Sequence, residues 1–169
     1  MAFILNGTEL LSFAEYQDVV DTSQRLFDTN EGLTEEVVEN HLIRATERIL
    51  TQLRATDWWR SYYVNRNSST SFRSVADIPA LTATNIKARQ NDFTELCVAT
   101  ALGHYILPNV ADFGTEDNAE RQQMSYYVQR AASLFDELVT AGDWYDFDAD
   151  GVIASTEKDP GIINLKRVR

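Results

Sequence analysis

Asp146, Asp148, Asp150, Gly151 and Glu157 stand in the register D-x-D-x-D-G-x5-E, the pattern of a calcium-binding loop. Three short carboxylates at alternate positions can converge on one hard cation, because a turn through Gly151 wraps the backbone around it. Glu157 would close the coordination sphere with two oxygens, and the carbonyl of Val152 would add a main-chain ligand at the seventh position. Ile153 is the apolar residue usual at the eighth position. Ala154, at the ninth, has no ligating side chain and leaves that place to water. The expected ligand set is Asp146, Asp148, Asp150, Val152 and Glu157, and the expected cofactor is a structural calcium ion. The same residues also suit a plain acidic surface turn.

Other chemistry finds little support. There is no Gly-x-Ser-x-Gly elbow for a nucleophile and no glycine-rich phosphate loop of either common kind. Two histidines, His41 and His104, and one cysteine, Cys97, form no zinc pattern at a familiar spacing. Both histidines are expected to be structural, and Cys97 to be a small buried hydrophobe. Acidic residues on helices are ordinarily a solvated face. The chain is not expected to be an enzyme.

The segments around the loop set its context. Lys158-Asp159-Pro160-Gly161 breaks any exiting helix, since Pro160 biases Asp159 away from helical geometry. The second helix of an EF-hand is therefore expected to be missing, and with it the helix pair that a calcium sensor opens. Ile162, Ile163, Asn164, Leu165, Lys166, Arg167, Val168 and Arg169 then form an extended arm in which apolar residues give way to cations.

Upstream of the loop, helical periodicity dominates. Val38, Leu42, Ala45, Ile49 and Leu53 predict a helix near 34–54, with Thr34 as its cap and Glu35 and Glu36 in the first turn. Ile86, Phe93, Leu96, Cys97, Thr100, Ala101 and Tyr105 mark a second near 85–106, ended by Pro108. Met124, Val128, Ala131, Phe135 and Leu138 mark a third near 118–140, ended by Gly142. Ser12 with Glu15 predicts a short helix through about Val20, after a short hairpin or a packed lead-in around Asn6-Gly7. Leu26 and Phe27 anchor a polar connection. Trp58, Trp59, Tyr62 and Tyr63 form an aromatic corner best explained as core, and Asn65 to Ser71 is expected to be a loop. The fold class is all-α, a helical bundle of three long helices plus a short N-terminal helix, with a calcium-loop-like turn and an extended C-terminal arm. Residues 1–142 are the helical bundle domain, and 143–169 the EF-hand-like loop and arm.

With 26 acidic against 15 basic residues the net charge is −11, the wrong sign for binding nucleic acid through its phosphates. Apolar residues are 44% of the 169, enough for a folded core. The first residues lack a signal peptide's basic region and apolar run, and no membrane-spanning run occurs. The expected compartment is the cytoplasm of the cell that makes the protein.

The order of these elements, with Trp58-Trp59, then Asp146-x-Asp-x-Asp-Gly151, then Asp159-Pro-Gly-Ile-Ile-Asn-Leu-Lys-Arg-Val-Arg169, resembles the head–tail connector adaptors, or head-completion proteins, of tailed bacteriophages. The resemblance implies a homo-oligomeric ring, a dodecamer, beneath the portal protein, joining the capsid to the tail or a stopper protein. DNA would pass through the channel without specific binding, which an acidic wall favours. It implies a virion protein of the neck, assembled in the host cytoplasm, with Ile162 to Arg169 as the portal-gripping arm. Loops inserted towards the tail side in that family correspond by position to Asn65 to Arg73. The calcium-like loop is not a general requirement of the family. The alternative is a calcium-binding helical protein-interaction module.

Overall fold

The computed structural model describes residues 3–6, 9–66, 78–110 and 119–158. Within them the chain is mostly helical, with one small two-stranded sheet added to the expected all-α architecture. The sheet is an antiparallel pair, β1 (Ile4–Asn6) and β2 (Glu9–Ser12). Helix α1 (Tyr16–Thr22) starts later than expected. Glu15, not Ser12, is the cap residue, because its N–H donates to Asp18 Oδ2 at 2.9 Å and completes a capping box. The Ser12 hydroxyl instead donates to the Ala14 carbonyl. A second short helix, α2 (Gln24–Thr29), occupies the stretch expected to be a polar connection.

Helix α3 (Glu35–Ala55) matches its expected span within a residue. Val38, Leu42, Ala45, Ile49 and Leu53 are all buried along it, as a helical apolar stripe requires. The aromatic corner is itself helical, α4 (Asp57–Arg66), so Asn65 and Arg66 belong to a helix and not to a loop. Residues 67–73 of the expected tail-side loop lie outside the described residues, as does the arm, Ile162 to Arg169.

The second long helix differs most from expectation. Residues 83–85 form a 3₁₀ turn and α5 begins only at Gln90 (Gln90–Ala101). A π-helical segment, Leu102–Ile106, comes next and leads into α6 (Leu107–Val110), so Pro108 does not end the helix. In the π segment the Leu107 N–H donates to the Leu102 carbonyl, five residues back, and this wider pairing just ahead of Pro108 accommodates a residue that has no N–H to donate. At Gly103 an added Cβ would stand 2.9 Å from the Val128 backbone nitrogen. This close approach brings the π segment against α7 (Ala119–Ala141).

Helix α5 lies between α3 and α7 and packs on both. Its residues Phe93, Leu96, Cys97, Ala99 and Ala101 are buried. Phe13 joins the N-terminal hairpin to this core, its ring 4.9 Å from Phe93. Its N–H donates to Thr46 Oγ1, and its carbonyl accepts from Thr94 Oγ1. Cys97 is completely buried beside Thr46 Oγ1 at 3.4 Å, and burial pushes its thiol up to about 11. The folded protein should therefore leave Cys97 unreacted with a thiol reagent at pH 8, while denaturant should expose one reactive thiol. Rapid labelling under native conditions would contradict this packing.

Candidate metal centre

The loop is set in place by the end of α7. Gly142 adopts φ +57, and its N–H donates to the Leu138 carbonyl, closing the helix in a left-handed cap. Trp144 turns straight back into the core, where its indole N–H donates to the same Leu138 carbonyl at 2.8 Å. The chain then runs antiparallel to residues 85–87. Lys87 N–H donates to the Trp144 carbonyl, Asp146 N–H donates to the Asn85 carbonyl, both at 2.9 Å, and Ile86 bridges Tyr145. Tyr145 carries its hydroxyl to the Thr82 N–H at 3.1 Å, and burial raises its phenol above the ordinary value. Arg89 holds Asp143 through two bonds and keeps that carboxyl below its usual range.

Phe147 is the wedge between loop and body. Its ring stacks on Tyr62 at 4.0 Å and meets Trp59 at 4.9 Å and Trp58 at 5.2 Å. Trp144 meets Phe93 at 4.7 Å from the other side. The aromatic corner of α4 is thus core, and its main occupant is the loop itself.

Asp146 and Glu157 are both 0% exposed, although each carries a carboxylate. Glu157 lies in a single helical turn, α8 (Ser155–Lys158). The exiting helix is thus present as one turn before Asp159-Pro160. Glu157 Oε2 accepts the Ala154 N–H at 2.7 Å, and Oε1 accepts the N–H groups of Phe147 at 2.8 Å and Asp148 at 3.3 Å. One carboxylate thereby ties the two ends of the loop together. Asp146 Oδ2 accepts the Gly151 N–H at 2.8 Å, which the positive φ of Gly151 allows. Ala149 is also left-handed, at φ +59, a local strain of about 1 kcal/mol that the loop closure sustains.

Asp146, Asp148 and Glu157 each place an oxygen within 4.8 Å of the others. Asp146 Oδ1 is buried and accepts no hydrogen bond among the described residues. A buried carboxylate oxygen without a donor is costly, and a cation bridging it to Asp148 and Glu157 would satisfy it. The oxygens are of the hard type that calcium or magnesium takes. Asp150 and Val152, the other two expected ligands, pair with each other beside this group. Asp150 folds back so that its Oδ1 accepts the Val152 N–H at 2.8 Å, and Val152, 66% exposed, lies at the outer rim.

Several participants were not foreseen from the spacing. Lys87 places its ammonium 3.8 Å from Asp146 Oδ2, and Trp58 donates its indole N–H to the Lys158 carbonyl at 3.2 Å. Neither residue lies near the loop in sequence. The two histidines both lie against Tyr105, His41 stacked on its ring at 6.1 Å, and burial lowers both from the ordinary value. Neither belongs to a group of metal-ligating side chains among the described residues.

No protein-family model matches the chain, and no curated protein or solved structure is significantly similar to it. Among the described residues, no helix is long and apolar enough to cross a membrane.

Gly142 can be tested directly. A Cβ there would collide with the Lys158 carbonyl oxygen and stand 2.9 Å from Trp58 Nε1. Gly142→Ala should destabilise the protein by about 1–3 kcal/mol, from the left-handed backbone and the loss of the loop's closing bond. Denaturant unfolding measures it, and an unchanged midpoint would mean that the loop closes in some other way.

Proposed function

We propose that the chain is a structural subunit of a phage neck, a head–tail connector adaptor whose loop 146–157 holds one calcium ion. In this reading the subunits form a ring, a dodecamer, on the portal protein and join the capsid to the tail or a stopper protein. The DNA channel continues through the ring, and the acidic net charge of −11 suits a wall that does not trap passing duplex. The finer view of the fold, a bundle of α3, α5 and α7 that carries a C-terminal arm, belongs to the same proposal. So does the placement in the virion without catalytic activity.

The observation that carries the cation is Asp146 Oδ1, buried, unpaired and beside Asp148 and Glu157. Trp58 holds the Lys158 carbonyl against the body, and in this reading that bond is the root from which the arm starts. The neck reading itself is supported by the resemblance of the C-terminal sequence. A calcium-pinned root would make arm docking less costly in conformational entropy.

Calcium titrated into the full-length protein should bind one ion per chain and raise the melting temperature, and Asp146→Asn should abolish both effects. Absence of binding at millimolar calcium, in the free protein and in the assembled ring, would reduce the loop to a plain acidic turn. Deleting residues 162–169 should leave a helical protein that no longer docks on portals. Normal ring occupancy by the truncated chain would show that the arm is not the attachment device.

The second reading, a calcium-binding protein-interaction module, is favoured by one observation. The backbone N–H groups that the carboxylates of Asp146, Asp150 and Glu157 accept all come from within 147–154, so these bonds need no ring neighbour. A monomer that binds calcium and never assembles on a portal would favour it.

A further inference from the structure

We infer that Lys87 is a tethered counter-cation of the loop, which steadies the ion-free carboxylates and competes with a hard divalent cation for Asp146. The inference rests on the cation reading above and names how that site is tuned.

The position of Lys87 is fixed by the backbone. Its N–H donates to the Trp144 carbonyl, and its neighbour Ile86 bridges Tyr145, one residue before Asp146. The side chain is 39% exposed, and its ammonium stands 3.8 Å from Asp146 Oδ2, whose other partner is the Gly151 N–H. This distance is too long for a hydrogen bond, so the attraction is one of charge alone. The ammonium therefore leaves the buried Oδ1 unsatisfied.

Asp146, Asp148 and Glu157 bring three like charges together, and the Lys87 ammonium stands beside the first of them. Arg89, two residues further on, is engaged by Asp143 and Asp92 instead. Without any cation the three carboxylates repel one another at short range, and Lys87 relieves part of that repulsion. When a divalent ion enters, the same ammonium repels it. One residue thus raises the stability of the ion-free loop and lowers its affinity for the ion.

The test uses the full-length chain with Lys87→Met, which keeps the stem and removes the charge, Lys87→Gln as a second neutral variant, and Lys87→Arg as the charge-conserving control. Calcium is titrated at low and high salt, and thermal unfolding is followed in chelator. At low salt the neutral variants should bind calcium about tenfold more tightly than wild type, with the gap narrowing as salt screens the repulsion. Lys87→Arg should keep wild-type affinity. In chelator the neutral variants should melt below wild type. Neutral variants that bind calcium with wild-type or weaker affinity would overturn the role of Lys87 while leaving the metal site standing. Wild-type protein that binds no calcium would overturn the metal site and this inference together.

Discussion

A carboxylate taken wholly out of water is the constraint on which the C-terminal part of this molecule depends. Asp146 lies between two aromatic residues, Tyr145 and Phe147, that both face the body, and the backbone bond to Asn85 holds it at that depth. Burying an ionised carboxylate costs several kcal/mol unless its oxygens are matched. One oxygen is matched by Gly151 and approached by Lys87, and the other is not. Everything nearby can be read as the means of keeping that unmatched oxygen in a fixed place.

Three parts of the fold converge to do so. Helix α7 delivers the loop and stops at Gly142, where only a residue without a Cβ leaves room for the Lys158 carbonyl returning beneath it. The segment 82–87 supplies an edge that receives Trp144 to Asp146. Helix α4 supplies Trp58, Trp59 and Tyr62, against which Phe147 is wedged. Each such ring contact adds about 0.5–1.5 kcal/mol beyond the area it buries. The loop is consequently packed as core even though its tip, Asp148 to Val152, is exposed.

The sequence made the long helices legible because their burial is periodic. The stripe from Val38 to Leu53 could be read directly, and so could the end of α7 at Gly142, since a left-handed glycine after an apolar stripe is a local signal. The start of α5 was misplaced because Ile86 is buried through a backbone bridge to Tyr145 and not on a helical face. Pro108 misled because a π segment altered the pairing ahead of it. In the site, the D-x-D-x-D-G spacing located the loop, and Glu157 was assigned for its oxygens. What the spacing could not convey was that Glu157 is also the N3 residue of a one-turn helix, returning to the Ala154 N–H. Lys87 and Trp58 carry no signal at all in one dimension, since their roles arise from tertiary pairing across 59 and 100 residues.

A loop built in this way is better suited to fastening than to sensing. A sensor needs an element that changes its packing when the ion arrives, whereas α8 is a single turn whose last described carbonyl is already held by Trp58. The Glu157 oxygens that would meet an ion already bind three backbone N–H groups, so the ion would complete a preformed closure and not drive a new one. The free energy of binding would then appear mainly as added stability of the ion-bound fold. In the proposed neck subunit, that stability would be placed where the pull of an attached arm reaches the body, at the junction of Gly142, Trp58 and Lys158.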